Sequence, residues 1–344
     1  MIKKVNHIKS ALIYLIVTVF TISGNAQDIH FSQFYASPLT MNPAMTGKMD
    51  GTFRATAQYR EEWSCFMEPY RTTGSSAERN FPLENGDRPG AGIVIVSDRT
   101  GKTSGINTMK VRLSGSYNKL FQTSGSGSVV LGAGFQLGFV QKSIFGDFTY
   151  PDQWVNGSYN GNVALENFNN NSISYLDLNF GTLCNYVFGI GSSVFIGGAV
   201  FHLNRPKEMF LDGTIDNRLE PRWVAHGGSR LVIGSGEFSV IPNFITMFQN
   251  GAKEINLGTS FEVDFGMLSA IQAIWTIGGW YRLNDAMIIA TGIGVKDFMF
   301  GISYDINTSS LQVASNKKGA LELSLRYRFK SKSIKLKGFP GLKM

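Results

Sequence analysis

Histidines, cysteines and grouped acids are the residue types with which this chain could do chemistry. Beyond residue 26 the histidines are His30, His202 and His226. A hydrolase needs a serine and a histidine within hydrogen-bond reach, and only His226 has a serine close by, Ser229. Their spacing is odd, so on a strand these two side chains point to opposite faces. We therefore expect that the protein is not an enzyme.

The cysteines, acids and glycines also lack the spacing of a metal or cofactor site. Cys65 and Cys184 are too few for a disulfide framework or a zinc site, so we interpret them as unpaired thiols. The acids of the stretch 146–171 do not have the spacing of a calcium loop, which favours a solvated surface loop. Gly132 and Gly134 precede no helix, so they indicate a bend or a close approach in a strand. We expect no cofactor and no metal.

The composition is that of a barrel in lipid rather than of a soluble domain. Charged residues make up 17% of the chain, aromatic residues make up 12%, and 39 of the 344 residues are glycine. Soluble domains have roughly 25% charged residues and roughly 7% glycine. The mean hydropathy of −0.02 argues against a helical membrane protein. Each span of such a protein needs about 20 apolar residues.

The positive charge is confined to the two chain ends. The formal net charge is +7. Eight lysines, unaccompanied by any acid, lie in the first 26 and the last 15 residues: Lys3, Lys4, Lys9, Lys330, Lys332, Lys335, Lys337 and Lys343. Without these eight, 24 basic residues face 25 acidic ones. The rest of the chain therefore offers no basic groove, and we expect no nucleic-acid partner.

One stretch near the C-terminus shows the unit that recurs along the chain. In Ala320–Phe329, apolar or aromatic residues alternate with polar ones. Because side chains alternate across a strand, one face of it is apolar and the other is charged. Globular strands usually have about five or six residues, whereas a tilted strand of about ten crosses a bilayer. The aromatic pair Tyr327 and Phe329 is typical of the membrane interface.

Repetition of this unit predicts an all-β fold, a transmembrane antiparallel β-barrel of about 14 strands. We place the strands approximately at 51–60, 70–79, 89–97, 105–118, 127–142, 172–187, 191–203, 222–234, 236–248, 253–264, 269–282, 285–295, 297–307 and 318–329. The long connections, 143–171, 204–221 and 308–317, all have the same parity, as the outside loops of an outer-membrane barrel have. An even strand number places both termini on one side, the periplasm.

Residues 1–26 have the organisation of a signal peptide. Three lysines precede an apolar run at 11–22, which is too short to span a membrane as a helix. The small residues Gly24 and Ala26 occupy the positions that signal peptidase requires. The sequence therefore predicts cleavage after Ala26 and a mature chain that begins at Gln27.

The next segment, 27–50, is irregular yet apolar. Pro38 and Pro43 exclude a regular helix or strand. Its large apolar side chains favour burial, so we expect the segment to pack inside the barrel or against its periplasmic mouth. The barrel domain then covers 51–329, and 330–344 is a basic periplasmic tail.

Short motifs of one family follow one another along nearly the whole mature chain. They are Ile29–Gly47, which is the strongest, then 54–60 with Trp63, Asp152-Gln153, 278–282 and 301–305. In this order they resemble the PorP/SprF family, outer-membrane proteins of the type IX secretion system of Bacteroidetes. The resemblance implies an outer-membrane protein of a Gram-negative bacterium.

The resemblance also implies a non-enzymatic barrel that docks partner proteins and supports export, or the surface anchoring of adhesins in gliding. The implied partners are membrane lipid, periplasmic and outer-membrane secretion-system proteins, and an exported surface protein. We expect the partner-binding residues to be Phe31, Phe34, Tyr35, Asn42, Pro43, Asp152, Gln153, Lys332, Lys335 and Lys337. The alternative is a diffusion or uptake channel, whose mark would be an open lumen.

Charges on the inward strand faces do not decide between these alternatives. Arg54, Arg60, Arg326 and Arg328 lie on the strands that must meet to close the barrel, together with Glu322. Buried charges need partners. They could pair across a filled lumen or line a water-filled pore, and both arrangements remain open at this point.

Overall fold

A computed structural model describes residues 28–64, 68–122, 127–146, 153–155, 158–159, 171–189, 191–210, 217–268 and 272–330. The expected signal peptide and most of the basic tail lie outside these residues. Within them, no helix combines the length and the apolarity that crossing a membrane requires.

The chain forms a closed barrel of 14 antiparallel strands, which confirms the predicted fold. We number the strands of the chain β1 to β16. The barrel strands, in chain order, are β1 Phe53–Glu62, β2 Tyr70–Asn80, β3 Arg88–Arg99, β4 Gly105–Gln122, β5 Ser128–Phe145, β8 Ser172–Phe188, β9 Ser192–Phe201, β10 Arg222–Ile233, β11 Phe238–Gln249, β12 Ala252–Asp264, β13 Ala273–Arg282, β14 Ala286–Val295, β15 Phe298–Asn307 and β16 Lys318–Phe329.

Pairing of the first strand with the last closes the barrel. β1 and β16 run antiparallel in a register that sets Phe53 opposite Phe329 and Glu62 opposite Ala320. We call the end that holds Phe53 and Phe329 the terminal end, and the opposite end the far end. The long connections after β5, β9 and β15 all lie at the far end, as the parity of the sequence pattern predicted.

Each strand has an apolar outer face and a polar inner face. In β1 the inward side chains Arg54, Thr56, Gln58 and Arg60 are buried, while Ala57 faces outward and is exposed. Large apolar side chains such as Leu323 are exposed on the outer wall. A barrel in lipid needs apolar side chains outside and polar side chains inside, which is the reverse of a soluble protein.

Several strand ends differ from the sequence prediction by up to four residues, and two differences have a local reason. β13 begins at Ala273 rather than near 269, because a one-turn helix, Phe265–Leu268, follows β12. The Asp264 carboxylate accepts the Gly266 amide at 2.9 Å, as an N-cap does. The far-end connection after β5, predicted as a surface loop, holds a small hairpin of β6 Trp154–Val155 and β7 Ser158–Tyr159.

The N-terminal segment folds as a series of short turns inside this wall. They are a 3-10 turn Phe34–Ala36, one α-turn Pro38–Met41 and a second 3-10 turn Pro43–Met45, and another 3-10 turn, Ser310–Gln312, lies at the far end. The two prolines each begin a turn, where a missing N–H costs nothing.

Candidate functional site

The lumenal segment, which we define as Asp28–Met49, is the main feature of the barrel interior. It starts near the far end, where the Asp28 amide donates to Gln249 at 2.9 Å. It finishes at the terminal end, where Asn80 donates to the carbonyl of Gly47 at 3.0 Å. The segment therefore runs through the lumen along the strands, and it is not confined to the terminal mouth. The described chain begins near the far end, because the segment crosses the lumen before β1, so it does not begin at the end where the even strand number had placed both termini.

The first anchor of the lumenal segment is Asp28. Its carboxylate lies 2.7 Å from the ammonium of Lys110 on β4 and 2.8 Å from Nε2 of His202. The other ring nitrogen of His202 lies 2.7 Å from Asp177 on β8. His202 therefore lies between two carboxylates, one from the lumenal segment and one from the barrel wall. A guanidinium from β10, Arg222, lies 3.7 Å from the same Asp28 carboxylate.

These cations set the charge of the Asp28 carboxylate. Burial alone would raise the pKa of Asp28. Lys110, His202 and Arg222 outweigh burial and hold the pKa of that carboxyl well below its ordinary value. Asp28 therefore stays ionised inside the barrel and binds several separate strands at once.

The second anchor is Glu322 on the closing strand β16. Its two carboxylate oxygens accept the backbone amides of Ser32 at 2.8 Å and Gln33 at 2.9 Å. Arg60 on β1 lies 3.5 Å from the same carboxylate and also hydrogen-bonds to the Ser32 hydroxyl. Because β1 and β16 are the strands that meet to close the barrel, this anchor joins the lumenal segment to the seam.

Asp305 on β15 extends the second anchor. Its carboxylate lies 3.3 Å from Arg60 and is paired with Arg282 of β13. It also accepts the Ser32 hydroxyl at 2.7 Å. These charges pair between nearby strands and through the segment, so the lumen is filled here and is not a water-filled pore.

The third anchor is Asn42, which is fully buried. Its amide nitrogen donates to the carbonyl of Thr182 at 2.9 Å and lies 2.9 Å from Nε2 of His226. His226 thus contacts the lumenal segment rather than a nucleophile. The next residue, Pro43, lies against Gly134 so closely that a Cβ there would clash, which is the close approach that this glycine predicted.

Lys48 lies near the end of the lumenal segment, at the terminal end of the barrel. Its side chain is fully buried. Burial, followed by the charge of Arg88, lowers the pKa of Lys48 to about 7. The lumenal segment therefore ends in a lysine that is only partly charged near neutral pH.

Nine of the ten predicted partner-binding residues fall into three groups, and Tyr35 is the tenth. Phe31, Phe34, Asn42 and Pro43 are buried in the lumen, where they contact the barrel's own wall. Gln153 is buried in the far-end connection. Asp152, Lys332, Lys335 and Lys337 lie outside the described residues. A role of these side chains in partner binding stays a prediction.

Tyr35 is the predicted residue that faces open space. Its ring stacks on Trp280 with centroids 5.1 Å apart, and both residues line a cavity of about 220 Å³. The indole nitrogen of Trp280 donates to Asn243 at 2.7 Å, which holds this wall in place.

The sequence predicts Glu322 and Arg60 as inward charges in need of partners, but it does not indicate that they hold the segment. It does not single out Lys110, and Arg282 occurs only as the end of a family motif. His202 was noted as a histidine without a partner. A charged residue on the inward face was the available signal, but its partners lie far away in the sequence.

Solved structures with a similar fold include two that are described as toluene transporters. The Ralstonia pickettii toluene transporter TbuX has a TM-score of 0.50 and 11% identity, over 89% of this chain and 96% of that one. The Pseudomonas putida toluene transporter TodX has a TM-score of 0.50 and 8% identity, over 88% and 95%. A Pseudomonas aeruginosa FadL homologue has a TM-score of 0.50 and 10% identity, over 84% and 93%. At these identities the likeness concerns the fold alone.

Sequence comparison gives the more specific result. No curated protein sequence matches this chain. The profile of a family described as "Type IX secretion system membrane protein PorP/SprF" matches residues 23–327. That match takes in the lumenal segment and nearly the whole barrel, and together with the fold it indicates the outer membrane of a Gram-negative bacterium. The chain thus belongs to the PorP/SprF family of type IX secretion system membrane proteins.

Proposed function

We propose that this protein is a non-enzymatic docking component of the type IX secretion machinery. It binds other proteins of the machinery and supports the export or surface anchoring of a secreted protein, such as an adhesin used in gliding. Family membership supports the link to secretion. The source is a member of the Bacteroidetes, as the motifs of this family suggest.

The observation that carries the proposal is the anchored lumenal segment. The segment is fastened to the barrel wall at three points, at Asp28, Glu322 and Asn42. The hydrogen bonds or ion pairs there are 2.7–2.9 Å long. A barrel whose interior is bound to its own chain is better suited to present surfaces at its two ends than to pass solutes.

The two ends have different roles in this proposal. The terminal end faces the periplasm and binds the machinery, because short turns and the end of the last strand lie there. Lys330, the last described residue, pairs with Asp50 at this end at 2.6 Å. The tail that follows brings Lys332, Lys335 and Lys337 to an acidic partner surface. The far-end connections, with Asp152 and Gln153, meet the exported protein.

Recovery of partners from native membranes tests the proposal. The tagged chain, extracted in mild detergent, should retain secretion-system proteins, and a strain without the chain should lose at least one protein from its surface. Changing Lys332, Lys335 and Lys337 to glutamine should reduce partner recovery, whereas changing them to arginine should not. Recovery by the arginine variant should fall with salt, since the screening length is roughly 3 Å at 1 M.

Two results would contradict the docking function. One is an unchanged surface proteome in the strain that lacks the chain. The other is a purified barrel that brings no secretion-system protein with it under any mild detergent. Equal recovery by the glutamine and wild-type chains would exclude only the role of the tail.

A diffusion or uptake channel is the second candidate. The cavity beside Tyr35 and the likeness to barrels described as transporters favour it. A channel requires that the lumenal segment leave the lumen, because its anchors cross the path. Steady conductance of the purified barrel in planar bilayers, unchanged when Asp28 is changed to asparagine, would support the channel and oppose a closed docking barrel.

A further inference from the structure

The cavity beside Tyr35 is the part of the terminal half of the lumen that the segment leaves empty. The second half of the segment lies against β4, β5 and β8, on one side of the barrel. The cavity lies on the other side, against strands β11 to β16. Gly266, Gln272 and Lys296, which line its outer part, are exposed turn residues of the terminal end. The cavity is therefore a pocket that opens to solvent at this end.

The inner end of this terminal pocket is apolar and aromatic. Tyr35 of the lumenal segment and Trp280 of β13 stack there, and Trp280 is only 5% exposed. Gly278 and Gly258 make room for the indole, since a Cβ at either position would clash with it. Gln33 closes the remaining side by accepting the Ser324 hydroxyl at 2.8 Å. An apolar group that enters from the terminal end must stop against these rings.

The walls of the terminal pocket carry an excess of positive charge. The charged residues that line it are Glu262, Asp264, Lys296, Arg326 and Arg328. Glu262 is already paired with a further arginine, Arg230 on β10, at 2.6 Å. Asp264 lies at the rim and caps the turn that follows it. The two arginines on β16 therefore determine the sign of the charge that the pocket accepts.

Among the described residues, Arg328 has no carboxylate in direct contact, and the charges of Asp50, Glu262 and Asp297 act on it from farther away. Its neighbour in the register, Arg54 on β1, is paired with Glu78 at 2.7 Å. Within the described part of the chain, no carboxylate lies within 4.0 Å of the Arg328 guanidinium. Arg326 lies two positions away on the same inward face of β16. Guanidinium groups bind carboxylates in a bidentate manner, so this face fits a carboxylate.

The size of the terminal pocket limits what can enter. The pocket has a volume of about 220 Å³. A chain terminus enters it as one length of chain, whereas a loop has to bring two lengths through the same opening. A chain terminus fits, and a C-terminus also brings a carboxylate that Arg328 can bind. Capture of a C-terminal carboxylate is an established mode of peptide recognition.

We propose that the terminal pocket binds the C-terminus of a partner polypeptide, with its carboxylate on Arg328 and an apolar last side chain against Tyr35 and Trp280. This inference rests on the proposed docking function for its biological meaning. Its binding chemistry does not depend on that function, because it is measured on the purified barrel.

A peptide titration tests the assignment. The probe is the fluorescein-labelled peptide Gly-Ser-Gly-Phe with a free carboxylate, and the full chain in detergent is the receptor. Fluorescence anisotropy should show saturable binding, and the C-terminal amide of the same peptide should bind at least about tenfold more weakly. A peptide ending in serine should also bind more weakly than the one ending in phenylalanine. Equal affinity of acid and amide would overturn the proposal.

Matched variants locate the binding. Arg328→Gln should weaken binding of the acid peptide by at least about tenfold, and Arg328→Lys should weaken it less, because lysine keeps the charge but loses the bidentate geometry. Arg99→Gln, at the far end, is the control with the same chemical change and should have no effect. Each variant is first checked for the heat-dependent gel migration of a folded barrel. Unchanged affinity of a folded Arg328→Gln variant would contradict the assignment.

The same experiment can identify two other occupants of the pocket. Decanoate that binds in place of the peptide, with no saturable binding of the peptide acid, would identify a lipid carboxylate and overturn the peptide assignment. Binding that appears only after removal of 331–344 would identify the chain's own C-terminus as the occupant and would also overturn it. Failure of the secretion test with intact peptide binding would leave the pocket assigned and refute only the docking function.

Discussion

Glu322 is the residue on which the position of the lumenal segment depends most directly. It is completely buried, and its two oxygens accept consecutive backbone amides while Arg60 balances its charge. Hydrogen bonds to a charged group contribute about 1.5–3 kcal/mol each, and removing one partner of a buried pair leaves the other charge without compensation. The segment is therefore held by charge and geometry as well as by apolar burial.

Changing Glu322 to glutamine should loosen the lumenal segment. An amide can present only one accepting oxygen, so one of the two amides loses its bond. Hydrogen exchange followed by mass spectrometry should show the amides of Ser32 and Gln33 exchanging at least about tenfold faster. Glu61→Gln is the control, because Glu61 pairs with Arg71 near the surface at 3.0 Å. Unchanged protection in the Glu322 variant would show that apolar packing alone holds the segment.

Lys48 should make the stability of the barrel depend on pH. Its pKa is lowered from 10.5 to about 7 in the folded chain, mainly by burial. Between these values the unfolded chain binds a proton that the folded chain does not, so the free energy of unfolding rises with pH. Below about pH 7 the full penalty of burying the charge is present.

The corresponding test compares Lys48→Met with the wild-type chain in urea. From pH 7 to pH 10, the wild type should gain up to about 4 kcal/mol of unfolding free energy relative to the variant. Lys253→Met, which removes an exposed lysine of β12, should have the same pH dependence as the wild type. Parallel pH curves for Lys48→Met and wild type would mean that Lys48 keeps its charge throughout this range.

At the scale of elements, the lumenal segment fits the wall because glycines lie where it approaches. A Cβ at Gly134 on β5 would overlap Pro43, whereas a Cβ at Gly115 on β4 would have nothing nearer than 3.9 Å. Gly134→Ala should therefore displace the turn at Pro43, and Gly115→Ala should not. Protease digestion of the folded barrel should cut the segment faster in the first variant only. Equal digestion of both variants would show that the wall yields to the extra methyl group.

At the scale of the whole molecule, strand parity assigns the two ends to opposite sides of the membrane. An epitope inserted after Lys102, in the exposed far-end turn between β3 and β4, should be labelled by antibody on intact cells. An epitope after the last residue should be labelled only in permeabilised cells. Labelling of the C-terminal epitope on intact cells would reverse the proposed orientation, and with it the assignment of partners to each end.

The strands were predictable because their signal is local. Side chains alternate every second residue, and a strand long enough to cross a bilayer repeats that alternation several times. β16 was predicted at 318–329 and forms at Lys318–Phe329. The start of β13 was predicted too early. A helical turn, Phe265–Leu268, lies before this strand, and the apolar pattern of the sequence does not distinguish the turn from the strand.

The burial of the N-terminal segment also followed from composition, since its apolar side chains need an environment other than water. The composition did not predict the route of the segment through the lumen or the contacts that its three anchors make. Asp28 meets His202 and Lys110, and Ser32 meets Glu322, across separations of up to 290 residues. Such pairs exist only once β1 and β16 have closed the barrel, because closure brings inward side chains from distant strands around one lumen. The terminal pocket has the same origin: it is the volume that remains when a one-sided segment fills a round barrel.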